Sequence, residues 1–434
     1  MSMNTTRRIA LAGLTILLGV LLTGPASSAT VAVGTCTTFV NFATIQQAID
    51  ASPAGTIIKI CPGTYKEQPD IHKAINLQGV LYAGANRVII APPAPMAVQT
   101  VDISTSAALT AQIWVHDTAG VLISNITVDG TGNGLTDCTN LVGILYENAS
   151  GTVNHVAVRN ETLGTGLEGC QSGQGIYVQT ASGNASTVTV ANSSVHSYQK
   201  NGIVGREAGT TLTVMGNFVQ GSGVVPSGSA AQNGIELAFG AKGKISSNTV
   251  ADNIYGDTTL ATSSDILLYD TAANSAISVT LNTLGNSQIP IGLVTDTAGL
   301  GDGVSVTSNK IYGTSTDDAI DVCTNGNTIK SNTIFNSAQS GVHFDLSCGS
   351  TGNSNIASAN TFVESYCAGI LEDVGTSGNT DTPNNYYTVP FILANSTSRC
   401  TIPPGPAAAV TKTTNTLLGG GTTIHAKAGH KFQP

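Results

Sequence analysis

A pair of turn signals that recurs along the chain constrains its fold more than any other feature of the sequence. In the first, an Asn is followed two positions later by an apolar residue; in the second, a Gly is followed directly by one. The signals alternate with short β-branched segments and recur once every 20–40 residues or so, which is typical of a solenoid. The instances are Asn154, Asn217, Asn248, Asn282, Asn309, Asn332 and Asn360, and Gly143, Gly175, Gly202, Gly234, Gly292, Gly341 and Gly369.

Both signals have a physical role in stacked turns. Asn tolerates the left-handed backbone of a tight bend, and an Asn on each turn can donate its amide hydrogen to the next and accept from the last. Gly permits a sharp entry into a strand. A propeller or a sandwich would need Asn-Gly or Asp-Gly turns between antiparallel strands, and these are not the repeating element here. The sequence therefore predicts an all-β solenoid.

The start of the repeat region has the features of a cap. Thr44 is placed as a helix N-cap, and Ile45, Ala48 and Ile49 form an apolar face at helical spacing. A solenoid needs such a cap because its terminal turn is otherwise exposed. A capping helix is therefore predicted just before the strand at 56–60.

The stretch TIQQAIDASPAGTIIKICPGTYKE (44–67) and the following INLQG (75–79) resemble the N-terminal cap and first turn of pectin lyase-like proteins. The later Asn and Gly-Ile turns resemble the coils of the same superfamily, which includes periplasmic NosD-type proteins. The resemblance covers roughly residues 36 to 375 and implies a right-handed parallel β-helix with an N-terminal capping helix. It leaves the activity open, because the superfamily contains lyases, hydrolases, esterases, epimerases and non-enzymes.

Three segments are predicted along the chain. Residues 1–29 have the pattern of a cleaved secretory signal peptide, because Arg7 and Arg8 precede a short apolar run that ends in small residues. Residues 30–387 are predicted to form the β-helix, with its cap at about 36–60. Residues 388–434, rich in Pro, Thr and Gly, are predicted to form a C-terminal cap and a flexible tail. The mature protein is therefore expected to be secreted, either extracellular or periplasmic.

Charge narrows the range of partners. The sequence has 17 basic and 26 acidic residues, for a formal net charge of −9. Two basic residues and no acidic ones lie in the predicted signal peptide, so the mature chain is more acidic still. This balance argues against nucleic acid as a partner. No membrane span is predicted after signal cleavage, and the protein is expected to be monomeric.

Eight cysteines lie in the predicted mature chain, and an even number in an exported protein indicates disulfides. Cysteines about one repeat apart could lie on adjacent turns, although eight cysteines allow many connectivities. The favoured pairs are Cys36–Cys61, Cys138–Cys170, Cys323–Cys348 and Cys367–Cys400.

A candidate catalytic site is predicted on the Gly-Ile strands, which in the proteins that this chain resembles form a substrate groove. Alternation points the residue after each inward Ile outward. Asp321 and His343 then share a register on consecutive turns. Carboxylates that lie close together, beside a His, can supply the acid and base of glycoside hydrolysis, although acidic residues are also ordinary on a solvated face. The candidate catalytic residues are Asp317, Asp318, Asp321, His343 and Asp345.

The segment Asp317-Asp318-Ala-Ile-Asp321 resembles the paired-Asp motif of polygalacturonase-type hydrolases. The positions of two further motifs of that family hold Ile291 and Ser340 in this chain, and the family's Arg-x-Lys pair is missing. One motif in four leaves that particular activity in doubt.

Five further outward positions are predicted to bind substrate: Glu147, Tyr177, Arg206, Glu236 and Tyr269. Tyr177 and Tyr269 would be platforms for sugar rings, or ordinary exposed tyrosines. Arg206 and Glu236 could serve a uronate lyase or epimerase, but a cross-strand ion pair is the preferred interpretation. A Ca²⁺ ion could be held by Asp317, Asp318 and Asp321, although no spacing demands a metal and no other cofactor is indicated.

Three functions follow from these residues, and the sequence leaves open whether the protein is an enzyme. The first is a secreted carbohydrate-active protein that binds an extracellular polysaccharide and hydrolyses it with the Asp/His residues. The second is a non-catalytic extracellular or periplasmic carbohydrate-binding or surface protein that uses the same groove. The third is a uronate polysaccharide lyase or epimerase.

Overall fold

A computed structural model describes residues 29–257, 260–314, 316–348, 351–365, 367–389, 391–395 and 412–413. The predicted signal peptide lies outside the described residues except for Ala29. So do Cys400 and most of the segment predicted as a C-terminal cap and tail.

The chain winds into a solenoid with three long sheets as its faces, and each turn contributes one strand to each sheet in most of the molecule. Among the strands that the structure describes, all pairings are parallel except Thr100–Val101 with Ala108–His116 and Asn385–Tyr387 with Lys412–Thr413. This arrangement confirms the predicted parallel β-helix and its right-handed, all-β class.

The first sheet contains, in spatial order, Asn41–Phe42, Thr30–Val33, Thr56–Ile60, Ile75–Gly79, Val121–Ser124, Gly151–Asn154, Ser186–Ala191, Thr210–Met215, Lys242–Ser246, Ser278–Thr280, Ser305–Thr307, Thr328–Lys330 and Ile356–Ser358. The second contains Gly63–Lys66, Val88–Ala91, Thr127–Asp129, Ala157–Arg159, Ser194–His196, Phe218–Val225, Thr249–Tyr255, Thr283–Ser287, Lys310–Thr314, Thr333–Phe335, Thr361–Val363, Asn385–Tyr387 and Lys412–Thr413. The third contains Asp70–Ile71, Ala108–His116, Asn140–Glu147, Gln174–Gln179, Asn201–Arg206, Asn233–Ala238, Ser264–Tyr269, Ile289–Val294, Ile320–Val322, Val342–Phe344, Ala368–Glu372 and Phe391–Asn395, with Thr100–Val101 beside Ala108–His116.

The core is a continuous apolar column along the axis of the solenoid. Each strand sends alternate side chains inward, as in Thr56–Ile60, where Ile58 and Ile60 are fully buried. Aligned register then places like residues above one another, for example Ile291 next to Ile320 and Ile320 next to Val342. The hydrophobic effect therefore favours this register strongly, because a slip by one residue would turn the apolar side chains outward.

The repeating asparagines form a buried ladder at the bend between the first and second sheets. The side-chain Nδ2 of Asn309 donates to Oδ1 of Asn332 at 3.0 Å, and Asn309 in turn accepts from Asn282 at 2.9 Å. The predicted amide stacking is thus confirmed. The ladder consists of Asn217, Asn248, Asn282, Asn309, Asn332, Asn360 and Asn384.

The left-handed residue of this bend differs from the prediction. In the ladder turns from Asn217 to Asn360 it is the residue before the Asn, such as Ser308 at φ 58° or Ser331 at φ 57°. Asn125 and Asn192 take that conformation themselves in earlier turns, at φ 55° and 49°. The ladder asparagines satisfy buried backbone groups instead, as Asn309 Nδ2 does by donating to the carbonyl oxygen of Val279 at 2.9 Å.

At Gly143, in the third-sheet strand Asn140–Glu147, glycine is required by close packing rather than by a left-handed backbone. A Cβ on Gly143 would lie 2.6 Å from the carbonyl oxygen of Gly175 and 2.6 Å from a methyl carbon of Val158. The neighbouring turn therefore leaves no room for a side chain there.

The helix Ile45–Ala51 caps the first turn as predicted. The backbone N–H of Gln47 donates to the Thr44 hydroxyl oxygen at 3.1 Å, and Ile45, Ala48 and Ile49 are buried. Glu67 accepts from the N–H groups of Ile45 and Gln46, both at 3.1 Å. These bonds satisfy donors that a helix start leaves unpaired.

Three predicted disulfides are confirmed: Cys36–Cys61, Cys138–Cys170 and Cys323–Cys348. The fourth predicted pair includes Cys400, which lies outside the described residues. Within those residues, no helix has the length and apolar character needed to cross a membrane.

Candidate functional site

The third sheet brings the predicted Asp and His residues together. Asp321 lies directly opposite His343 in the adjacent strand, so their predicted lateral contact is confirmed. Asp318 lies just before the Asp321 strand, and Asp345 directly follows the His343 strand.

His343 lies at the centre of a group of carboxylates, here named the Asp–His cluster (Asp318, Asp321, His343, Asp345 and Asp373). Its Nδ1 is 3.1 Å from Asp318 Oδ2, 3.7 Å from Asp345 Oδ2 and 3.9 Å from Asp321 Oδ1. Its Nε2 is 3.2 Å from Asp373 Oδ1. Both ring nitrogens therefore face carboxylate oxygens.

The surroundings of His343 favour the charged imidazolium. Burial alone would lower the pKa of this side chain, but the charges of Asp345 and Asp318 and the hydrogen bonds with Asp318 and Asp373 outweigh it. Together they raise the pKa of His343 well above its usual value. With a proton on each nitrogen, the ring can donate to Asp318 on one side and to Asp373 on the other.

Burial corrects the expectation of an open groove at this cluster. The side chains of Asp318, Asp321 and His343 have no exposed surface, and Asp345 is almost fully buried. Asp373 is the most accessible member, with 16% of its side chain exposed. A ligand arriving from solvent would therefore meet Asp373 first.

Asp317, the fifth predicted catalytic residue, is also buried, and its carboxylate accepts a hydrogen bond from Gln339 Nε2 at 2.9 Å. The backbone N–H of Ser340 donates to Asp318 Oδ1 at 2.7 Å. These bonds tie the turn before the Asp321 strand to the next turn of the solenoid.

Sequence reasoning missed Asp373. The predicted outward positions included no residue of this turn, on which Leu371 lies opposite His343. Asp373 directly follows the strand Ala368–Glu372, just as Asp345 directly follows Val342–Phe344. An Asp at the same place after two successive strands was the signal that could have revealed it.

The donor set of the Asp–His cluster differs from the predicted Ca²⁺ set. Ligand atoms of Asp318, Asp321 and His343 lie within 4.8 Å of one another, and so do those of His343, Asp345 and Asp373. The third possible ligand is thus the imidazole of His343 rather than the predicted carboxylate of Asp317. Because Ca²⁺ prefers oxygen ligands throughout, these residues fit Ca²⁺ less well than three carboxylates would.

Arg206 and Glu236 form the ion pair that the sequence favoured, but in a buried position rather than on the surface. Arg206 Nη2 is 2.9 Å from Glu236 Oε1. The guanidinium also lies over the rings of Tyr177 and Phe239, at 5.7 and 5.5 Å from their centroids. Burial lowers the pKa of the adjacent Lys200 to about 7, against the opposing charge of Glu236.

The two predicted tyrosine platforms are also covered. Tyr177 is fully buried and donates its hydroxyl to Asp102 Oδ2 at 2.9 Å. Tyr269 is nearly buried and donates to Asp296. Neither ring is open to a sugar in this structure, because segments outside the solenoid lie against this face and supply polar partners for it.

Glu147, the remaining predicted substrate-binding residue, lies nearer the N-terminal end of the same face. Its carboxylate accepts from Trp114 Nε1 at 3.0 Å and from the Thr100 hydroxyl at 2.9 Å. Residues 100–103 thus lie beside it, and Ile103 N donates to Gln179 Oε1 at 3.1 Å. This contact helps to explain why the third sheet is covered here.

An exposed aromatic surface lies instead on the second sheet, where the sequence predicted none. Tyr312 lies opposite Phe335, and the column continues through Val363 to Tyr387; it is named here the Tyr312 column. Tyr312 is 46% exposed. Its ring is parallel to that of Phe335, with centroids 5.1 Å apart. In the sequence, each residue of this column directly follows the inward Ile or aromatic residue of an Asn turn. That pattern was the signal that could have revealed the column.

The Tyr312 column has an open end and a polar border. Gly285 lies opposite Tyr312 on the preceding turn, so no side chain of that neighbour covers the second face of the Tyr312 ring. A parallel column of hydroxyl, ammonium and amide groups lies two residues away on the same face, namely Thr283, Lys310, Thr333, Thr361 and Asn385.

Comparison with known proteins supports the fold. No protein-family model and no curated protein matches this chain. Among solved structures, the Dettilon tailspike protein (gp208) aligns with a TM-score of 0.50 at 14% identity, over 79% of this chain and 62% of its own. The chain therefore has the fold of the pectin lyase-like right-handed parallel β-helix proteins.

Two further structures align over most of this chain. A GH136 lacto-N-biosidase from Eubacterium ramulus has a TM-score of 0.46 at 10% identity, over 79% of this chain and 62% of its own. The A-module of mannuronan C-5 epimerase AlgE4 from Azotobacter vinelandii has a TM-score of 0.44 at 13% identity, over 81% of this chain and 94% of its own. The chain thus spans less than two thirds of the length of the tailspike and the biosidase.

Proposed function

We propose that this protein is a secreted carbohydrate-binding β-helix that holds an extracellular polysaccharide against the outer face of its second sheet. The observation that carries the proposal is the exposed ring of Tyr312, open on the side of Gly285 and bordered by hydroxyl groups. Sugar rings present apolar C–H faces that pack on aromatic rings, and hydroxyl rims that hydrogen-bond to polar side chains. The Tyr312 column and its polar border match both features.

The repeat supports a polymeric ligand. Adjacent strands lie about 4.8 Å apart, so the same outward positions recur at that step along the solenoid axis. A chain of similar sugar units would therefore meet similar side chains on successive turns. The acidic net charge favours a neutral polysaccharide over a strongly anionic one, because like charges repel unless a cation bridges them.

The test is glycan binding by the full mature chain and by a Tyr312→Ala variant. Retention on a panel of immobilised neutral and uronate polysaccharides is measured by affinity electrophoresis. We expect the substitution to weaken binding at least tenfold. A matched control is Phe218→Ala on the same face, because Phe218 is 45% exposed but lies opposite a Thr rather than an aromatic residue. Equal loss in both variants, or no retention of the wild type, would contradict the proposal.

Hydrolysis at the Asp–His cluster is the second candidate. It is favoured by the convergence of four carboxylates on one imidazole, which can keep a proton donor and a proton acceptor side by side. Asp373 would be the group that meets the substrate. Hydrolysis requires an acid that protonates the departing sugar oxygen and a base that takes a proton from water.

The same glycan panel separates this candidate from binding alone. New reducing ends that disappear in Asp373→Asn would support hydrolysis, and Glu364→Gln, in the turn before the Ala368–Glu372 strand, is a control that should keep them. Unsaturated products would indicate a lyase and direct attention to Arg206. Retention without any product would leave the binding protein as the function.

A further inference from the structure

We infer that Asp70, His72 and His116 form a binding site for a divalent transition-metal ion of the zinc type. The site lies on the outer face of the first two turns of the third sheet, far along the chain from the Asp–His cluster. It is independent of the proposed polysaccharide binding, because none of its residues belongs to the Tyr312 column.

Register brings the three side chains together. Asp70 lies opposite Trp114 and Ile71 opposite Val115. His72 and His116 follow directly, and their ring centroids are 5.9 Å apart. Ile71 and Val115 point into the core, so their neighbours on either side point outward. The two imidazoles and one carboxylate thus come from residues on two successive turns that face the same way.

The distances suit a metal ion. His116 Nε2 is 2.9 Å from Asp70 Oδ1, and His72 Nδ1 is 3.4 Å from the same oxygen. One ligand atom from each residue lies within 4.8 Å of the other two. In a tetrahedral zinc site with ligands at about 2.0–2.1 Å, neighbouring ligand atoms are about 3.3 Å apart. Small side-chain adjustments would therefore bring all three atoms to that separation.

Neighbouring residues hold the ligands in place. Gln46 of the capping helix accepts from the backbone N–H of Asp70 at 2.8 Å and donates to its carbonyl oxygen at 3.3 Å. Asp117 Oδ2 is 2.9 Å from His116 Nδ1. When that nitrogen donates to Asp117, the lone pair of Nε2 is directed to the ion, as in carboxylate–histidine–metal arrangements.

The chemistry of the donor atoms limits which ions the site can bind. Two imidazoles with a single carboxylate suit Zn²⁺, Cu²⁺ or Ni²⁺, whereas Ca²⁺ and Mg²⁺ prefer oxygen ligands. Asp70 and His72 are both substantially exposed. Water, or an oxygen of a bound ligand, can thus complete the coordination sphere, which is typical of sites with an open position.

Trp114 offers a direct readout because it is the only tryptophan of the chain, and its ring stacks on His116 with centroids 3.9 Å apart. Titration of the metal-free full mature chain with Ni²⁺ should quench its fluorescence saturably. Calorimetry with Zn²⁺ alone should give one site per chain. Ca²⁺ at the same concentrations should change neither signal.

Variants separate this site from adventitious binding. His72→Ala should weaken Zn²⁺ binding at least tenfold, and Asp117→Asn should weaken it about tenfold because a supporting carboxylate is lost. His155→Ala, an exposed histidine on another face, should bind as the wild type does. Circular dichroism checks that each variant is folded. The inference is overturned if the wild type shows no saturable Zn²⁺ binding, or if His72→Ala binds as tightly as His155→Ala.

Discussion

At the scale of single residues, side chains that point away from the solenoid core differ in whether other segments bury them. His343 was expected on an open face and is instead buried among carboxylates. Tyr312 was not among the predicted site residues, and its side chain is exposed. Alternation within a strand predicts correctly that Asp321 and His343 point away from the solenoid core. It cannot predict whether another segment of the chain then covers them, because that depends on long loops with no repeating pattern.

The charge of His343 predicts a pH dependence of stability. Its pKa is raised in the folded state, so its stabilising contribution is complete below its unfolded value of about 6.5 and is lost as pH rises through the folded value. We expect the melting temperature of the wild type to fall more steeply above pH 6.5 than that of His343→Gln. Calorimetry from pH 6 to 9 measures both slopes.

The exposed His155→Gln is the matched control and should keep the wild-type slope. If His343→Gln does not fold, an NMR titration of the wild-type imidazole gives the answer directly. A midpoint at or below 6.5 would contradict the expected charge.

At the scale of elements, the asparagine ladder is the part of the fold that the sequence predicts best. Asn309 and its equivalents recur with an apolar residue two positions later, and amide stacking follows from that pattern alone. The same reasoning placed the left-handed backbone on the Asn, whereas the structure places it on Ser308. Sequence pattern locates a bend, but which of two adjacent residues adopts the unusual φ depends on the hydrogen bonds that the bend must satisfy.

Replacement of a ladder asparagine should lower the free energy of unfolding by much more than the size of its side chain suggests. Asn309→Ala removes the acceptor of two Asn282 N–H groups and the donors to Asn332 and Val279. Unpaired buried polar groups cost about 1–3 kcal/mol each, so we expect a loss of about 4 kcal/mol in the free energy of unfolding. Urea denaturation monitored by circular dichroism measures it.

Asn385→Ala is the control for this prediction, because Asn385 is an exposed asparagine within a strand. This substitution should change the free energy of unfolding by no more than about 0.5 kcal/mol. Similar losses for the two variants would show that the ladder contributes little to stability.

At the scale of the whole molecule, the first turn is closed by a helix of seven residues. The cap was predictable because Thr44 and the apolar spacing after it form a local pattern. The outer layer over the third sheet was not predictable, because Asp102 reaches Tyr177 across 75 residues of sequence. Without the capping helix, the terminal strands of the three parallel sheets would offer unpaired edges to other copies of the chain.

Loss of the cap should therefore cause association as well as instability. Ile49→Asp places a charge in the buried face of the helix, and we expect a lower melting temperature together with larger species in light scattering. Gln47→Asp adds the same charge on the exposed side of that helix and should remain close to the wild type. A folded, monodisperse Ile49→Asp protein would show that the helix is not needed as a cap.

The ladder amides keep nearly constant separations while the chain between them varies greatly in length. Asn309 and Asn332 are 23 residues apart and Asn248 and Asn282 are 34 apart, yet both pairs bond at 3.0 Å. Each turn of the solenoid thus tolerates insertions in its loops without disturbing the geometry of its neighbours. A lineage carrying this architecture can remodel its surface one turn at a time, acquiring new recognition loops on a frame whose spacing stays the same.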